Sequence, residues 1–540
     1  MGRSSVLFWV LGAALVGYVA LCTGQRDRVW EADAWEHHRA LRAFADAPFM
    51  PGNPTFESDA PSIRYSLYTA GLATIVRGFG IDPYDVLSGA AVANTALLIV
   101  SLWFLLKRFG ESAAASCVLL VMVGLWGGPP GYANSYALAD LPWHQVNPSA
   151  FSFPLIIFMW TMYLGASWVS LPAMCACAAI ALNSHPMTGA FGLYATVLLA
   201  FSGPRAELPQ QVVRLAIIST ASLVGCAIWP WFDFVAALKT TRDQQYWFNA
   251  GIVRIMLLQW CAPALLGGLL TLLIASRESV RRCLLCAAGV FVLTVFTLPL
   301  GSATLARFPM PGLIFLHTAL GVMIYETGVL AWRTWPERIR ALRHGTREAA
   351  GAHAVIEVAI AGMLAFYTLP QLVSIPLEWH LGKAYVARML GRSDANHPHL
   401  KPRFDRLLEG IVKQHDVVLS DPITSWPIPS SSGKIVPAIH YEAFVDGQLE
   451  RIEDARMFFG ETGGVDRTAI LDRYHVRYIV LNRTKVSAIA WEGLLREQAV
   501  LRRYDNLVLM SAERWRDPKR ELAAHHATPD GSESFRASHD

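Results

Sequence analysis

The sequence predicts a polytopic α-helical membrane protein of about eleven transmembrane helices, followed by a C-terminal α/β domain outside the bilayer. Three observations carry this. Hydrophobic residues make up 53% of the 540 and charged residues only 16%, with a mean hydropathy of +0.34, whereas soluble domains carry about 25% charged residues. Apolar runs of spanning size recur as far as Pro370. Beyond it, helical stretches mix with short β-type runs such as "HDVVLS" and "VRYIVLNR".

The first apolar run, 6–22, follows "MGRSS". No small-x-small cleavage site follows it and many spans do, so it reads as a retained anchor rather than a cleaved signal peptide. Further runs cover 86–106, 113–126, 150–166, 168–182, 187–201, 212–231, 255–274, 284–300, 312–332 and 355–370. Several are shorter than about twenty residues, which calls for tilt or shifted boundaries. One segment decides the topology: "YSLYTAGLATIVRGFG", 65–80, is apolar but short and carries Arg77. Laid flat in the interface, it leaves Lys107 and Arg108, Arg205 with Arg214, Arg277 with Arg281 and Arg282, and the run from Arg333 to Arg347 all on the cytoplasmic side, as the positive-inside rule favours. The N-terminus is then cytoplasmic in a plasma (inner) membrane, and an odd number of spans puts everything after Pro370 outside. The expected domains are 1–373, which includes a long first external loop at 23–85, then 374–516, and a disordered tail at 517–540.

The formal charge of +4 is too small to argue for nucleic acid, and the arginines gather in short runs between apolar segments. All eight cysteines lie in or at the ends of apolar spans, so no disulfide framework is expected. Cys283 and Cys286 form a lone CxxC without a second ligand pair, which reads as core rather than zinc.

The candidate chemistry lies in the external connections. In "ADAWEHHRALRAF" a helical reading puts Asp33, Glu36 and His37 on one face at i, i+3 and i+4. Carboxylates so spaced can bind a divalent cation or take a proton from a hydroxyl, and a neighbouring histidine can tune either role. The competing reading is a solvated amphipathic helix on the lipid surface. The second loop, "GGPPGYANSYALADLPWHQVNPSAF", supplies Asp140, Trp143, His144 and Asn147, either to a substrate or as a turn-rich loop anchored by its tryptophan. His185 in "NSHPMT" caps a helix or lines the same cavity, and capping is favoured. Arg307 in "TLARFPMPG" sits among apolar residues, where a guanidinium can fork onto a lipid phosphate or snorkel to the headgroups. "DQQYWFNAGIVR" reads as an aromatic belt with an anchoring arginine.

Asp33, Trp35, His37 and Arg39 resemble the D-P-[WY]-x-[HN]-x-R segment in the first external loop of oligosaccharyltransferase catalytic subunits. The wider arrangement is similar to the GT-C class of polytopic glycosyltransferases. A first helix, a long acidic external loop, an interfacial helix and then "GIDPYDVLSGAAVANTALLIVSLWFLLKRFG" follow the order of that class, as does an external α/β domain ending in a strand like "YHVRYIVLN". The resemblance implies an inverting transferase that moves a sugar from a polyprenyl phosphate or diphosphate carrier to a glycan, lipid or protein acceptor at the outer face. It implies Asp33 as the reacting carboxylate or a metal ligand, supported by Glu36 and His37. Arg39, Asp140, His144, His185 and Arg307 fall on the substrate side, and Asp33 with Asp140 would hold any divalent cation, Mg or Mn. Two departures stand out. The second loop lacks a DxD or DxE pair, and "VVLSDPITSWPIPSSSG" stands where those enzymes carry W-W-D-Y-G for sequon recognition; its Asp-Pro and serines read as turn chemistry. The alternative function is a non-catalytic component that binds or transports lipid-linked sugars in envelope polysaccharide assembly.

Overall fold

The structure is a computed structural model that describes residues 3–23, 33–126, 135–165, 167–240, 277–297, 307–343, 403–439, 442, 444–460, 466–496 and 500–513. These fall into two folded units, one of 1–50 with 61–398 and one of 51–60 with 399–540.

The helical unit opens with α1, Arg3–Thr23, whose 21 residues rise about 31 Å, the thickness of a bilayer's hydrocarbon core. There follow α2 (Asp33–Asp46), α3 (Leu67–Phe79), α4 (Pro83–Arg108), α5 (Ala115–Gly124), the single turn α6 (Leu141–His144), α7 (Pro148–Leu164), α8 (Leu171–Ser184), α9 (Pro186–Phe201), α10 (Leu208–Ala227), α11 (Phe234–Thr240), α12 (Glu278–Thr297) and α13 (Pro309–Arg343). Among the described residues, five stretches are long and apolar enough to cross a membrane: Ser4–Thr23, Pro83–Arg108, Arg205–Ala227, Glu278–Phe296 and Pro309–Val329. Four shorter apolar helices, α5 and α7 to α9, accompany them. The expected spans at 255–274 and 355–370, the aromatic segment at 243–254, the boundary at 373 and the tail lie outside the described residues.

Consecutive apolar helices run antiparallel, because the hydrogen bonds at their ends sort into two sets. At one end Ser116 Oγ donates to the Ser4 carbonyl at 3.2 Å and Arg108 to the Leu164 carbonyl at 2.6 Å. Glu111 accepts from Arg277 at 2.9 Å, and Arg277 also pairs with Glu326. At the other end Ser88 Oγ donates to the Thr23 carbonyl at 3.0 Å and the Leu67 N–H to Asn183 at 2.8 Å. Arg214, expected with Arg205 on the cytoplasmic side, is fully buried at the first end. Its guanidinium donates to the Tyr163 and Ser167 carbonyls and lies 5.4 Å from the Tyr163 ring, where a cation suits the carbonyl end of α7. Small residues let the helices approach. A Cβ on Gly189 would meet Leu182 Cα at 2.3 Å, and one on Gly321 would meet Val118 Cα at 2.5 Å. The seven described cysteines are free thiols.

α3 has 13 residues, about 20 Å of rise, too short to cross a hydrocarbon core of about 30 Å. It starts at Ser66, whose hydroxyl accepts from the Thr69 N–H, and stops at Gly80 in the left-handed region, φ 64°.

The second unit contains α14 (Arg403–Leu408), β1 (Val417–Leu419), α15 (Pro422–Ser425), α16 (Ile428–Ser431), β2 (Lys434–Ile435), α17 (Gln448–Phe459), α18 (Arg467–Arg473), β3 (Val476–Asn482), α19 (Ala488–Arg496), β4 (Val500–Tyr504) and β5 (Leu507–Ser511). Its five-stranded sheet has the order β2-β1-β3-β5-β4, with β1 parallel to β2 and β3 and the β3-β5-β4 side antiparallel. Asp421 caps α15 by accepting from the Ile423 and Thr424 N–H groups, the turn chemistry its sequence called for.

Ten residues of the first loop belong to this unit. Phe56 is fully buried in a cluster with Leu407, Val412, Val418 and Ile435. The Ile435 N–H on the outermost strand donates to the Thr55 carbonyl at 2.9 Å, and Thr55 Oγ1 donates to Glu442 at 3.1 Å. Segment 51–60 thus covers a strand edge that would otherwise present unpaired backbone.

Candidate functional site

α2 begins with Asp33 and Glu36 in its first turn, where carboxylates suit the positive end of the helix. The helix is not a solvated amphipath. Glu36, His37, His38 and Arg39 are all buried, on a helix whose Ala40, Leu41 and Phe44 are buried with them. Buried charge requires partners. Glu36 pairs with Arg64 and, at 3.7 Å, with Arg39, while His38 stacks on Tyr84 with ring centroids 3.8 Å apart. Asp33 keeps partial exposure.

His37 is uncharged at neutral pH. Burial pulls its imidazole down to about 4; the Asp33 carboxylate opposes the shift and Arg39 adds to it. His185 lies in the turn between α8 and α9, and burial and then Arg307 push it down to about 3, with Asp33 again opposing. His37 and Arg64 also act on His185, so residues from α2, the 61–66 loop, the α8–α9 turn and the start of α13 share one electrostatic neighbourhood. His185 also caps α9: its Nδ1 accepts from the Thr188 N–H at 3.2 Å, which leaves the ring proton on Nε2. Capping was the favoured role of His185 and proves to be a real one. Arg307 extends an Nη1 to 3.9 Å from the Met187 sulfur.

Two tryptophans hold the loop that carries Arg64. Trp229 Nε1 donates to the Tyr65 carbonyl at 2.8 Å and Trp231 Nε1 to the Pro48 carbonyl at 2.7 Å, with the two indoles 4.7 Å apart. Phe44 of α2 packs on both Tyr65 and Trp231. The second loop is bolted down beside it. Tyr68 OH donates to the Val146 carbonyl at 3.1 Å, and Asn94 Nδ2 donates to the Gln145 carbonyl at 2.8 Å and to Tyr68 OH at 3.2 Å. Asp140 is buried at the start of α6, and His144 ends that turn. Tyr136 shares a hydrogen bond of 3.0 Å with His317 of α13.

Of the residues singled out from sequence, the structure joins Asp33, His37, His185 and Arg307 electrostatically and pairs Glu36 with Arg39. Asp140 and His144 belong to the second loop. Arg64, Tyr68, Asn94, Asn183, Trp229 and Trp231 were not anticipated. The only available signal was Arg64 itself, a lone charge at the start of the short apolar segment. Among the described residues no group of three His, Cys, Asp or Glu side chains could hold a metal ion, and Glu36 is already engaged by two arginines. The expected ligands Asp33 and Asp140 stand in the first turn of α2 and at the start of α6.

No protein-family model and no curated protein matches the chain. Among solved structures it is similar to the oligosaccharyltransferase of Archaeoglobus fulgidus. The apo form matches at 10% identity and TM-score 0.49, covering 87% of this chain and 69% of that one. The complex with Zn and sulfate matches at 12% and 0.49, covering 87% and 68%. The complex with an inhibitory peptide and a dolichol-phosphate matches at 11% and 0.49, covering 87% and 69%. The distant similarity expected from the sequence is therefore present. At this depth, the roles of individual residues rest on this chain's own geometry.

Proposed function

We propose that the protein is an inverting membrane glycosyltransferase that takes a sugar from a polyprenyl phosphate or diphosphate and gives it to a hydroxyl-bearing acceptor at the outer face. The observation that carries this is the convergence at one end of the helical unit of a partly exposed carboxylate, Asp33, two uncharged imidazoles, His37 and His185, and the guanidinium of Arg307. In the step proposed, the acceptor oxygen attacks the anomeric carbon and loses its proton to the Asp33 carboxylate. The anomeric C–O bond breaks, and its electron pair leaves on the carrier phosphate, where Arg307 offsets the charge. Glu36 acts at one remove: its pairs with Arg39 and Arg64 fix the start of α2. In vitro transfer from a lipid-linked sugar, with mass spectrometry of the lipid and acceptor products, tests the reading; hydrolysis or transfer absent from active preparations of every donor would overturn it.

Arg307→Ala should raise the apparent KM for the lipid donor about tenfold or more, because a charge-assisted hydrogen bond to phosphate contributes about 1.5–3 kcal/mol. Arg307→Lys should recover part of it. An unchanged KM would reduce this arginine to an interfacial anchor.

Unit membership supports the proposed sidedness: 51–60 is folded into the C-terminal unit, which fits a first loop and a C-terminal unit on the outer side, with the basic helix ends on the other. In intact cells, a membrane-impermeant maleimide should label cysteines introduced at Asp59 and Glu453, which are exposed, but not one at Glu278. The reverse pattern would invert the topology.

A further inference from the structure

The charged cluster is assembled from two separate pieces of chain. One is α2, where Glu36 pairs with Arg39 and with Arg64 of the loop that leads into α3. The other is the α8–α9 turn, where His185 caps α9 and Arg307 reaches to 3.9 Å from the Met187 sulfur. Asn183, next to last in α8, joins them. Its Oδ1 accepts from the Leu67 N–H at 2.8 Å, and Leu67 opens α3.

The first N–H groups of a helix have no partner within it. In α3 the Ser66 hydroxyl satisfies Thr69 locally, and Asn183 satisfies Leu67 from a different helix. An asparagine oxygen suits this place, because it accepts without adding charge two positions before His185. The capped turn also fixes Arg64. Thr69 Oγ1 donates to the Arg64 carbonyl at 2.8 Å, and the Arg64 N–H donates to Ser62 Oγ at 3.2 Å. A line of contacts therefore runs from Asn183 through Leu67 and Arg64 to Glu36, one turn of α2 from Asp33. Water is largely kept from its start, with Asn183 4% exposed.

α3 does not depend on this link for its place. Tyr68 OH donates to the Val146 carbonyl at 3.1 Å and its ring stacks on Phe151 with centroids 5.0 Å apart, while Trp229 holds the Tyr65 carbonyl. Without Asn183 the helix stays docked, and its first turn loses its register against α8.

We propose that Asn183 is a positioning residue for sugar transfer: by capping α3 from α8, it sets the reach between the Asp33 carboxylate and the carrier phosphate at Arg307. The proposal rests on the glycosyltransferase reading. A misplacement of about 1 Å between reacting groups can cost about a hundredfold in rate. Loss of the cap is therefore read in turnover rather than in donor binding.

The test uses full-length protein in nanodiscs and short-chain polyprenyl phosphates and diphosphates carrying glucose, mannose or N-acetylglucosamine, with release of the sugar to a glycan acceptor or to water as the signal. Asn183→Ala should lower kcat about tenfold or more and leave the donor KM within about twofold. Asn183→Asp keeps the accepting oxygen and should recover most of kcat. Leu67→Pro removes the other half of the bond at the first helical position, where proline is tolerated and where Ser66 before it is already extended, ψ 168°; it should reproduce Asn183→Ala. Hydrogen exchange should show protection lost over 61–69 in Asn183→Ala and kept in the later turns of α3. A kcat within twofold of wild type in both Asn183→Ala and Leu67→Pro overturns the proposal, as does a KM that rises in step with the fall in kcat, or an Asn183→Asp as impaired as Asn183→Ala. If exchange responds as expected but wild-type protein releases none of these sugars, the glycosyltransferase reading itself fails and takes this one with it.

Discussion

Asp33→Asn should reduce sugar transfer by orders of magnitude while leaving the amount of folded protein unchanged. Asparagine keeps the size and polarity of the side chain but cannot accept the acceptor's proton, and general-base catalysis alone contributes about a hundredfold to ten-thousandfold. The structure sharpens the comparison within α2. Glu36 is buried between two arginines, so Glu36→Gln breaks a buried ion pair and should cost about 3–5 kcal/mol of stability. Asp33 is partly exposed at the helix start, and its loss should stay within about 1 kcal/mol, the scale of a charge at a helix terminus. Transfer measured in membranes and normalised to protein level separates the two. Near-wild-type turnover in Asp33→Asn would remove this carboxylate from the mechanism.

Phe56→Ala should destabilise the C-terminal unit by about 3–5 kcal/mol, the usual cost of emptying a phenylalanine site in a core. Its ring is fully buried against Leu407, Val412, Val418 and Ile435, with the Arg451 guanidinium 5.1 Å from its centroid. Two neighbouring N–H groups, of Thr55 and Phe56 itself, are tied to the Asn53 carboxamide, so the segment cannot easily collapse into the void. Hydrogen exchange is the suitable measurement, because a chain of two units has no single unfolding free energy. Protection should fall in β1 and β2 and persist in the helical unit. Unchanged exchange in β1 and β2 would mean that the segment only rests on the sheet.

The helices were legible because apolar length is a strong local signal, and α3 was recognisable as too short because Tyr65 to Gly80 is bounded by Arg64 and Asp82. His185 was legible as a cap because Pro186 follows it at the first helical position. The opening acidic cluster was legible as a helix face, but its burial was not. Whether Glu36 is solvated depends on Arg64, 28 positions later in a loop with no periodicity of its own. The burial of Arg214 was hidden for a similar reason: the carbonyls that take its guanidinium are those of Tyr163, near the end of α7, and Ser167, just beyond it.

The stitching of 51–60 into the C-terminal sheet also sets an order of events during synthesis. Thr55 waits for Glu442 across 387 positions, roughly 20–80 s at ordinary elongation rates. Every intervening helix must be inserted before the contact can form. Until then Phe56 stays in water and the outermost strand lacks its cover. A chain that stalls before Glu442 leaves the two halves of this core apart. Closure of the C-terminal unit therefore comes late, after the long intervening chain has been made, and carries the entropic cost of closing a long loop.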